Sequence, residues 1–570
     1  MIKRIIVSFV FVLSLSSIQA QSFRVEDIKN MFGKGNPLKL NGGISLSSTI
    51  DAGNDGSDRQ PFTYYLNGNV NLNILSLIDL PFSFSLTNSA SSFQSPSLPN
   101  RLSIHPSYKW ITAHIGDVDM TFSPYTLSGH QFTGAGVELT PDGWEFATMY
   151  GRLLKAVEYN EEQQAVLPNY KRMGYGFKAG RKADNYEISI NMLSAKDYIS
   201  SLTYVPDSLG VSPMQNLAMG VSFLIKPVKF IEFSGEYAIS LLSSDMRSPN
   251  ADNETGIMRL WSPSNMSSTY YNACKAQIAY VGENNRFGIG YERIAPDYKT
   301  LGAYYFTNDL ENITLNGSQS LWQNKLNIGL SIGYEHDDLA HSKANTSSRI
   351  VGSANVSATF SETVNAGISY SNFQTYTNVR SNFELVNQNN PLDKLDTLNF
   401  VQLSQTINAN LNVVTKKSET QNQNLSLNFS FQEAANKQGG VFHPGSVTEM
   451  LNASSGYTIS FLRSGLSVNG AISLNNSKMN NGNSITWGPT LGASVPLFQK
   501  KVNVTSTLSY NSGYLESVKQ NEFLIYRLSG AYSPFKQHNI NLAYNFQWRS
   551  VSGKSNNNSS LITVGYSYSF

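Results

Sequence analysis

The sequence predicts an all-β protein, a single large antiparallel β-barrel that spans a membrane. Three observations predict this fold. Apolar and polar residues alternate along many segments of about ten residues, as in tilted membrane strands with one face toward lipid and one toward a wet lumen. Charged residues are only 14% of the 570-residue chain, against about 25% in soluble domains. Tight turns and long polar loops alternate between the segments.

The chain begins with the features of a removable export signal. Two basic residues precede an apolar run, residues 5–13, which is too short to cross a bilayer as a helix. Ala20 provides a small residue for cleavage, and Gln21 rather than cysteine follows it, which argues against a lipid anchor. The expected organisation is a signal peptide at 1–20, a short helical or irregular segment at 21–37 and the barrel at 38–570.

The short segment after the signal carries an amphipathic pattern. Val25, Ile28 and Phe32 lie at helical spacing with Met31 beside them, and two carboxylates occupy the first turn. A helix of about two and a half turns is marginal in water and needs an apolar surface. We expect these four residues either to enter the barrel as a plug or to remain in a periplasmic tail.

The alternation is clearest in three segments, residues 401–413, 425–431 and 540–548. In the first, every odd position is apolar except Gln405, and every even position is polar. Strands of soluble proteins can alternate in this way, but they usually have about 5–6 residues. Long alternating segments repeated along the whole chain therefore favour a membrane barrel.

The connections predict the number of strands. Tight turns alternate with long loops without a break from residue 38 to the C terminus, which gives about 26 strands, an even number as in bacterial single-chain barrels. Among the tight turns is one at residues 106–109. The long loops are expected outside the cell, and both termini in the periplasm. They include residues 153–170, 196–215, 243–268, 374–396 and 432–448.

The last strand places Ile562, Val564, Tyr566, Tyr568 and Phe570 on one face. It resembles the terminal strand of bacterial outer-membrane proteins, whose aromatic last residue and alternating aromatics are read by the assembly machinery. The asparagine-, tyrosine- and serine-rich composition is similar to uncharacterised outer-membrane barrels of the Bacteroidota. This resemblance implies outer-membrane localisation, with Tyr566, Tyr568 and Phe570 as the assembly signal and with outer-membrane lipid and the assembly machinery as partners.

Two short segments resemble catalytic or metal-binding motifs, but neither has the surroundings that such a motif needs. Residues 329–333 match Gly-x-Ser-x-Gly, but they lie inside a predicted strand, whereas a nucleophile elbow needs a strand-to-helix turn. Acidic and histidine residues cluster at 335–341 on an outer loop, as they do in many solvated loops. Cys274 is the single cysteine, and the net charge is +2, which indicates no nucleic-acid partner. We expect no enzyme activity, no cofactor and no metal centre.

One loop differs from the solvated ones. Residues 117–136 contain Tyr125 and Phe132, with His130 among several glycines. This composition suits packing against a barrel wall or a ligand better than free solvation. The sequence therefore predicts that Tyr125, His130 and Phe132 form a luminal or ligand-binding loop.

Size constrains the function. A barrel of 26 strands is roughly 50 Å across, and barrels of about 22 strands are already plugged. Inward loops, the N-terminal segment or a partner chain must then close this one. We expect a conduit or a component of a transport or secretion assembly. The alternative is a membrane anchor that presents long extracellular loops to a ligand or a partner protein.

Overall fold

The computed structural model describes most of the chain after residue 37. The described residues are 38–51, 61–88, 101–161, 167–250, 264–304, 308–341, 348–372, 375–378, 400–435, 437–438, 441–442, 447–479, 482–552 and 556–570. The predicted signal peptide and the N-terminal segment with Val25, Ile28, Met31 and Phe32 lie outside them.

In the described residues, 26 antiparallel strands form one closed barrel, which confirms the predicted fold class and strand number. The strands are β1 Leu38–Asp51, β2 Phe62–Ile74, β3 Ile78–Thr87, β4 Arg101–Ile104 with Ser107–Tyr108, β5 Ile111–Asp119, β6 Gln131–Leu139, β7 Trp144–Leu154, β8 Lys171–Lys182, β9 Tyr186–Tyr198, β10 Gln215–Val228, β11 Ile231–Ser243, β12 Ser268–Val281, β13 Asn285–Ile294, β14 Leu310–Leu321, β15 Leu326–His336, β16 Ser348–Ser361, β17 Val364–Ser371 with Thr375–Asn378, β18 Phe400–Lys417, β19 Gln421–Ala435, β20 Thr448–Phe461, β21 Ser467–Met479, β22 Gly482–Leu497, β23 Val502–Leu515, β24 Val518–Tyr532, β25 His538–Val551 and β26 Asn557–Ser569.

The remaining regular elements are short and lie in the loops. Two 3-10 turns, Ile199–Ser201 and Asp207–Leu209, lie between β9 and β10. A small hairpin pairs Lys437–Gln438 with Val441–Phe442. Among the described residues, no helix has both the length and the apolar character needed to cross a membrane.

The first and last strands close the barrel. β1 pairs with β26 from Gly43 opposite Ser569 to Asp51 opposite Leu561, as the sequence predicts. Beyond that ladder, Gly42 and Phe570 exchange two backbone hydrogen bonds of 3.0 Å each. Closure leaves neither terminal strand with an unpaired edge, which a membrane strand cannot tolerate.

Each strand has an apolar outer face and a polar inner face. On β15, Leu330, Ile332 and Tyr334 are each more than half exposed, at 54%, 56% and 54%, and Ser331 and Gly333 between them point inward. The same alternation exposes Tyr566 on the closing strand. Because large exposed apolar surfaces are rare on soluble proteins, the outer face is a lipid-facing surface.

The connections differ at the two ends of the barrel. At one end, the turn end, short turns join the strands, such as residues 75–77 between β2 and β3. At the other, the loop end, most connections are long. The predicted unbroken alternation is wrong near the C terminus, because β21 and β22, β23 and β24, and β25 and β26 are also closely joined at the loop end.

Turn chemistry and strand length explain these differences. Glu516 and Ser517 both adopt left-handed conformations, φ 49° and 67°, which is the type I′ geometry of a two-residue hairpin. The polar residues before this turn resemble a loop in sequence but continue the strand ladder. The turn predicted at 106–109 is also displaced, because β4 resumes at Ser107–Tyr108 before the chain turns.

The two faces of the wall should respond oppositely to the same charge. Leu330→Arg puts a guanidinium against lipid near the middle of β15, so we expect it to lower the free energy of unfolding by about 2–4 kcal/mol. Asn355→Arg on β16 places the same group at the same level on the luminal side, because Asn355 is opposite Gly329. Asn355→Arg should lower the free energy of unfolding by less than about 1 kcal/mol. Urea unfolding in lipid vesicles measures both, and equal losses would contradict the assignment of the faces.

Candidate functional site

Two loops at the loop end dock on the inner wall of the barrel. Loop A, residues 120–130, joins β5 to β6. Loop B, of which residues 295–304 and 308–309 are described, joins β13 to β14. Both contact side chains of the inner face, whereas Tyr150 and Tyr175 of the same wall point outward and are exposed. Their buried residues form two adjoining apolar clusters that reach from β5 to β13.

Loop A is a compact turn built on its own sequence. The Thr126 N–H donates to the Ser123 carbonyl at 3.2 Å, and the Phe122 N–H donates to the Leu127 carbonyl at 2.9 Å. Pro124 occupies the second position of this turn, where its fixed φ is favourable. The Tyr125 N–H also bonds to the Ser123 hydroxyl at 3.1 Å. The loop therefore keeps few free backbone groups as it enters the barrel.

Glycines in the wall make room for the apolar side of loop A. Phe122 and Met120 are almost fully buried. A Cβ at Gly176 of β8 would lie 2.5 Å from Cε2 of Phe122, and a Cβ at Gly136 of β6 would overlap the sulfur of Met120. Burial of one such side chain stabilises the docked loop by roughly 2 kcal/mol.

Polar contacts join loop A to the wall on its other side. The Thr126 hydroxyl donates to Oδ1 of Asn191 on β9 at 2.7 Å. The Tyr125 hydroxyl donates to Oε1 of Glu292 on β13 at 2.6 Å. Burial and the neighbouring Glu292 carboxylate raise the pKa of Tyr125, so its hydroxyl remains a donor. Loop A thus bridges strands that are far apart around the barrel.

Loop B holds loop A from the luminal side. Leu127 and Gly302 form a parallel bridge, and the Ser128 N–H donates to the Gly302 carbonyl at 3.0 Å. The Thr300 hydroxyl donates to the Thr126 carbonyl at 2.6 Å, and the Tyr298 hydroxyl donates to the Tyr125 carbonyl at 2.8 Å. In each of these hydrogen bonds the acceptor is a main-chain carbonyl. Loops A and B are therefore joined along their backbones, and we refer to them together as the loop unit.

Buried amide and hydroxyl groups fix loop B to the wall. Asn216 of β10 is 1% exposed; its Oδ1 accepts the Leu301 N–H at 3.1 Å, and its Nδ2 donates to Ser240 at 2.7 Å. The Ser240 hydroxyl in turn donates to the Lys299 carbonyl at 2.6 Å. This chain of bonds continues the docking surface onto β11.

The structure buries all three residues predicted for a luminal or ligand-binding loop. Tyr125, His130 and Phe132 are 3%, 2% and 2% exposed. The His130 ring stacks on Tyr304 of loop B with centroids 4.1 Å apart. These residues pack against protein, and their contribution to a ligand site remains a proposal.

Sequence reasoning did not single out loop B. Its contacts join positions about 170 residues apart, and the only local signal is its tyrosine content. The acidic and histidine cluster at 335–341 also contacts loop B. The Asp309 carboxylate accepts hydrogen bonds from the N–H groups of Asp338 and Leu339 at 3.2 and 2.9 Å. Residues 329–333 lie within β15, as predicted. In the described part of the chain, no three His, Cys, Asp or Glu side chains gather as ligands for a metal ion.

No protein-family model and no curated protein matches the chain. Among solved structures, it is similar to the FrpB iron transporter from Neisseria meningitidis, with 12% identity, a TM-score of 0.37 and coverage of 95% of this chain and 82% of that chain. It is also similar to a mutant of the ferric enterobactin receptor PfeA from Pseudomonas aeruginosa, with 9% identity, a TM-score of 0.42 and coverage of 93% and 80%. The copper transporter OprC is similar as well, with 10% identity, a TM-score of 0.36 and coverage of 94% of this chain and 81% of that chain. Values this low carry no inference about substrate or mechanism.

Docking of loop A should weaken in acid. Burial lowers the pKa of His130 to about 4, whereas in a released loop it should titrate near 6.5. The docked form therefore has its full stability above about pH 6.5 and loses about 3 kcal/mol as the pH falls through that value to about 4. Hydrogen exchange at the Ser128 amide, corrected for the intrinsic rate, should be faster at pH 4.5 than at pH 7.5. His130→Gln should abolish this difference, and equal protection of the wild type at both pH values would contradict the assignment.

The contact at Gly302 allows the loop unit to be released without altering the barrel strands. A Cβ at this position would overlap Leu193 of β9 and the carbonyl of Thr126. Gly302→Val should leave assembly intact but expose Tyr125 to chymotrypsin and Lys299 to trypsin. Gly329→Val on β15 is the matched control, because the nearest atom to its Cβ is 3.9 Å away. Unchanged protease resistance of Gly302→Val would show that the loops do not depend on this contact.

Proposed function

We propose that the protein resides in the outer membrane of a Gram-negative bacterium and acts as a conduit, or as the barrel of a transport or secretion assembly. The observation that carries this proposal is the chemistry of the inner wall. From the end of β12 to β18, one concave stretch of it near the turn end has a volume of ≈ 670 Å³. Two charged residues, Glu283 and Arg286, line it, and its other polar side chains are amides and hydroxyls, including Ser318, Asn327, Asn355, Ser357, Ser369, Asn408 and Asn410.

Several charged side chains of the inner wall are paired with an opposite charge. Lys178 of β8 lies 2.6 Å from Glu145, Arg172 lies 2.8 Å from Asp197, and Arg286 lies 2.9 Å from Glu232. Opposite charges held this close leave little net field. Such a wall suits a polar solute or chain segment and selects weakly by charge.

The lumen needs an occluder. Loops A and B cover only one side of a cylinder that is roughly 50 Å across. We propose that Tyr125, His130 and Phe132 form part of the occlusion, and that the N-terminal segment with Val25, Ile28, Met31 and Phe32, or a partner chain, provides the rest. Each apolar side chain of that segment could contribute up to roughly 1.5–3 kcal/mol on burial.

The rival function is an anchor for a binding surface. Met266 and Tyr204 on the loop-end connections are 76% and 65% exposed. Exposed apolar side chains on extracellular loops favour contact with another protein. An anchor of this kind would conduct no ions under any condition, which separates it from a conduit.

The C-terminal strand carries the proposed signal for assembly into the outer membrane. Tyr566, Tyr568 and Phe570 end the closing strand at the turn end, with the Tyr568 and Phe570 rings 5.5 Å apart. We propose that this strand is the signal read by the outer-membrane assembly machinery, and that both termini are periplasmic.

Conductance in planar bilayers tests the conduit and its occluder. The wild type should conduct rarely, and deletion of Ser22–Gly35 should produce frequent large steps because it removes the proposed plug. Deletion of residues 382–395, a segment of equal length within the loop predicted at 374–396, is the control and should leave the wild-type behaviour. If deletion of Ser22–Gly35 changes nothing in an assembled barrel, the N-terminal plug is wrong. If Gly302→Val added to that deletion also leaves the membrane silent, the anchor function replaces the conduit.

A further inference from the structure

Two histidines face each other on the inner wall near the turn end. His105 lies between the two parts of β4, and His114 lies opposite it on β5. Their Nδ1 atoms are 2.8 Å apart, and their rings meet at 72° with centroids 5.0 Å apart. The next residue, Ile115, is 48% exposed on the outer face. Because successive side chains of a strand point to opposite faces, the His114 imidazole and the facing His105 imidazole point into the lumen.

The backbone brings these two side chains together. The His105 N–H donates to the Pro81 carbonyl at 2.9 Å, and the Ala113 N–H donates to the Pro106 carbonyl at 2.8 Å. His105 and His114 therefore form a non-hydrogen-bonded antiparallel pair, in which side chains approach most closely. Pro106 has no N–H, so it interrupts β4 between Ile104 and Ser107 without changing its register.

A carboxylate lies beside the second histidine. Oε2 of Glu138 on β6 lies 3.7 Å from Nε2 of His114. This distance is longer than a hydrogen bond, but a carboxylate on this side favours a proton on Nε2, so that Nδ1 of His114 accepts the hydrogen bond from Nδ1–H of His105. The same arrangement of carboxylate, imidazole and metal is a recurring second shell of metal sites.

A cavity of ≈ 270 Å³ adjoins His105. Its lining combines apolar surface, including Val70, Pro81 and Phe82, with the polar side chains of Asn41, Asn69, Asn71, Ser83 and His105. Oδ1 of Asn71 is buried and accepts no hydrogen bond from a described residue. The cavity therefore offers an acceptor for the coordinated water of a bound ion.

We propose that His105 and His114 bind one divalent transition-metal ion through their Nδ1 atoms. Imidazole nitrogens suit Zn²⁺, Cu²⁺ and Ni²⁺. Two nitrogens at about 2.0–2.1 Å from a tetrahedral metal lie about 3.3 Å apart, so the rings need to separate by a few tenths of an ångström and to turn until both lone pairs point at the metal. The proton between the two Nδ1 atoms moves to Nε2 of His105, so that both ligands are neutral imidazoles. Water from the lumen fills the other positions, and Glu138 is a positioning residue. The proposal is independent of whether the barrel conducts.

Copper binding to the full-length barrel in detergent, purified without a histidine tag, tests the proposal. We expect one Cu²⁺ per chain by equilibrium dialysis, with a paramagnetic resonance spectrum that shows two nitrogen ligands. His105→Gln and His114→Gln should each abolish the stoichiometric binding, and Glu138→Gln should weaken it about 10–100-fold. His336→Gln, at the loop end, is the matched control and should bind as the wild type does.

Two results would overturn the proposal. The first is the lack of stoichiometric binding by the wild type, which would leave the pair as two imidazoles that share a proton. The second is binding that survives both His105→Gln and His114→Gln. The wild-type spectrum decides the matter even if a variant fails to assemble, because a spectrum without two imidazole nitrogens excludes this site.

Discussion

The structure depends on one constraint, that the hydrocarbon core of a bilayer offers no water to bond with backbone N–H and C=O groups. A sheet can satisfy this constraint only by closing on itself. The pairing of Leu38–Asp51 with Asn557–Ser569 therefore matters more than any other contact. Once the wall is closed, every strand has a lipid face and a luminal face, and the period of two in the sequence follows from that division.

The docked loops show a compromise within this wall. Gly136, Gly174 and Gly176 on the inner face weaken their strands, because glycine has no side chain to pack and loses more entropy on folding. Met120 and Phe122 of loop A occupy the space beside Gly136 and Gly176, and Leu153 of β7 occupies the space beside Gly174. Packing of these side chains offsets the loss of strand stability that the glycines cause. It also places an ordered apolar cluster inside a lumen that is otherwise polar.

Local pattern could predict the strands but not the contacts across the lumen. Alternation in residues such as 540–548 reports the two faces directly, and the strand number follows from it. The short connection at Glu516 and Ser517 was missed because polar, turn-forming residues look alike in hairpins and in loops. The contact of Thr126 with Thr300 depends on how two loops distant in sequence fold into the lumen, and the pairing of His105 with His114 depends on strand register. No local pattern encodes either.

Accessibility of single spin labels along β15 tests the two-faced wall around a wet lumen most directly. Each residue from Asn327 to Tyr334 is replaced by a labelled cysteine in lipid vesicles. Relaxation by lipid-soluble oxygen and by a water-soluble nickel complex is then compared. Labels at the even positions, including Leu330 and Ile332, should respond to oxygen, and labels at the odd positions, including Ser331, should respond to the nickel complex. Equal response of odd and even positions to the nickel complex would contradict a transmembrane barrel.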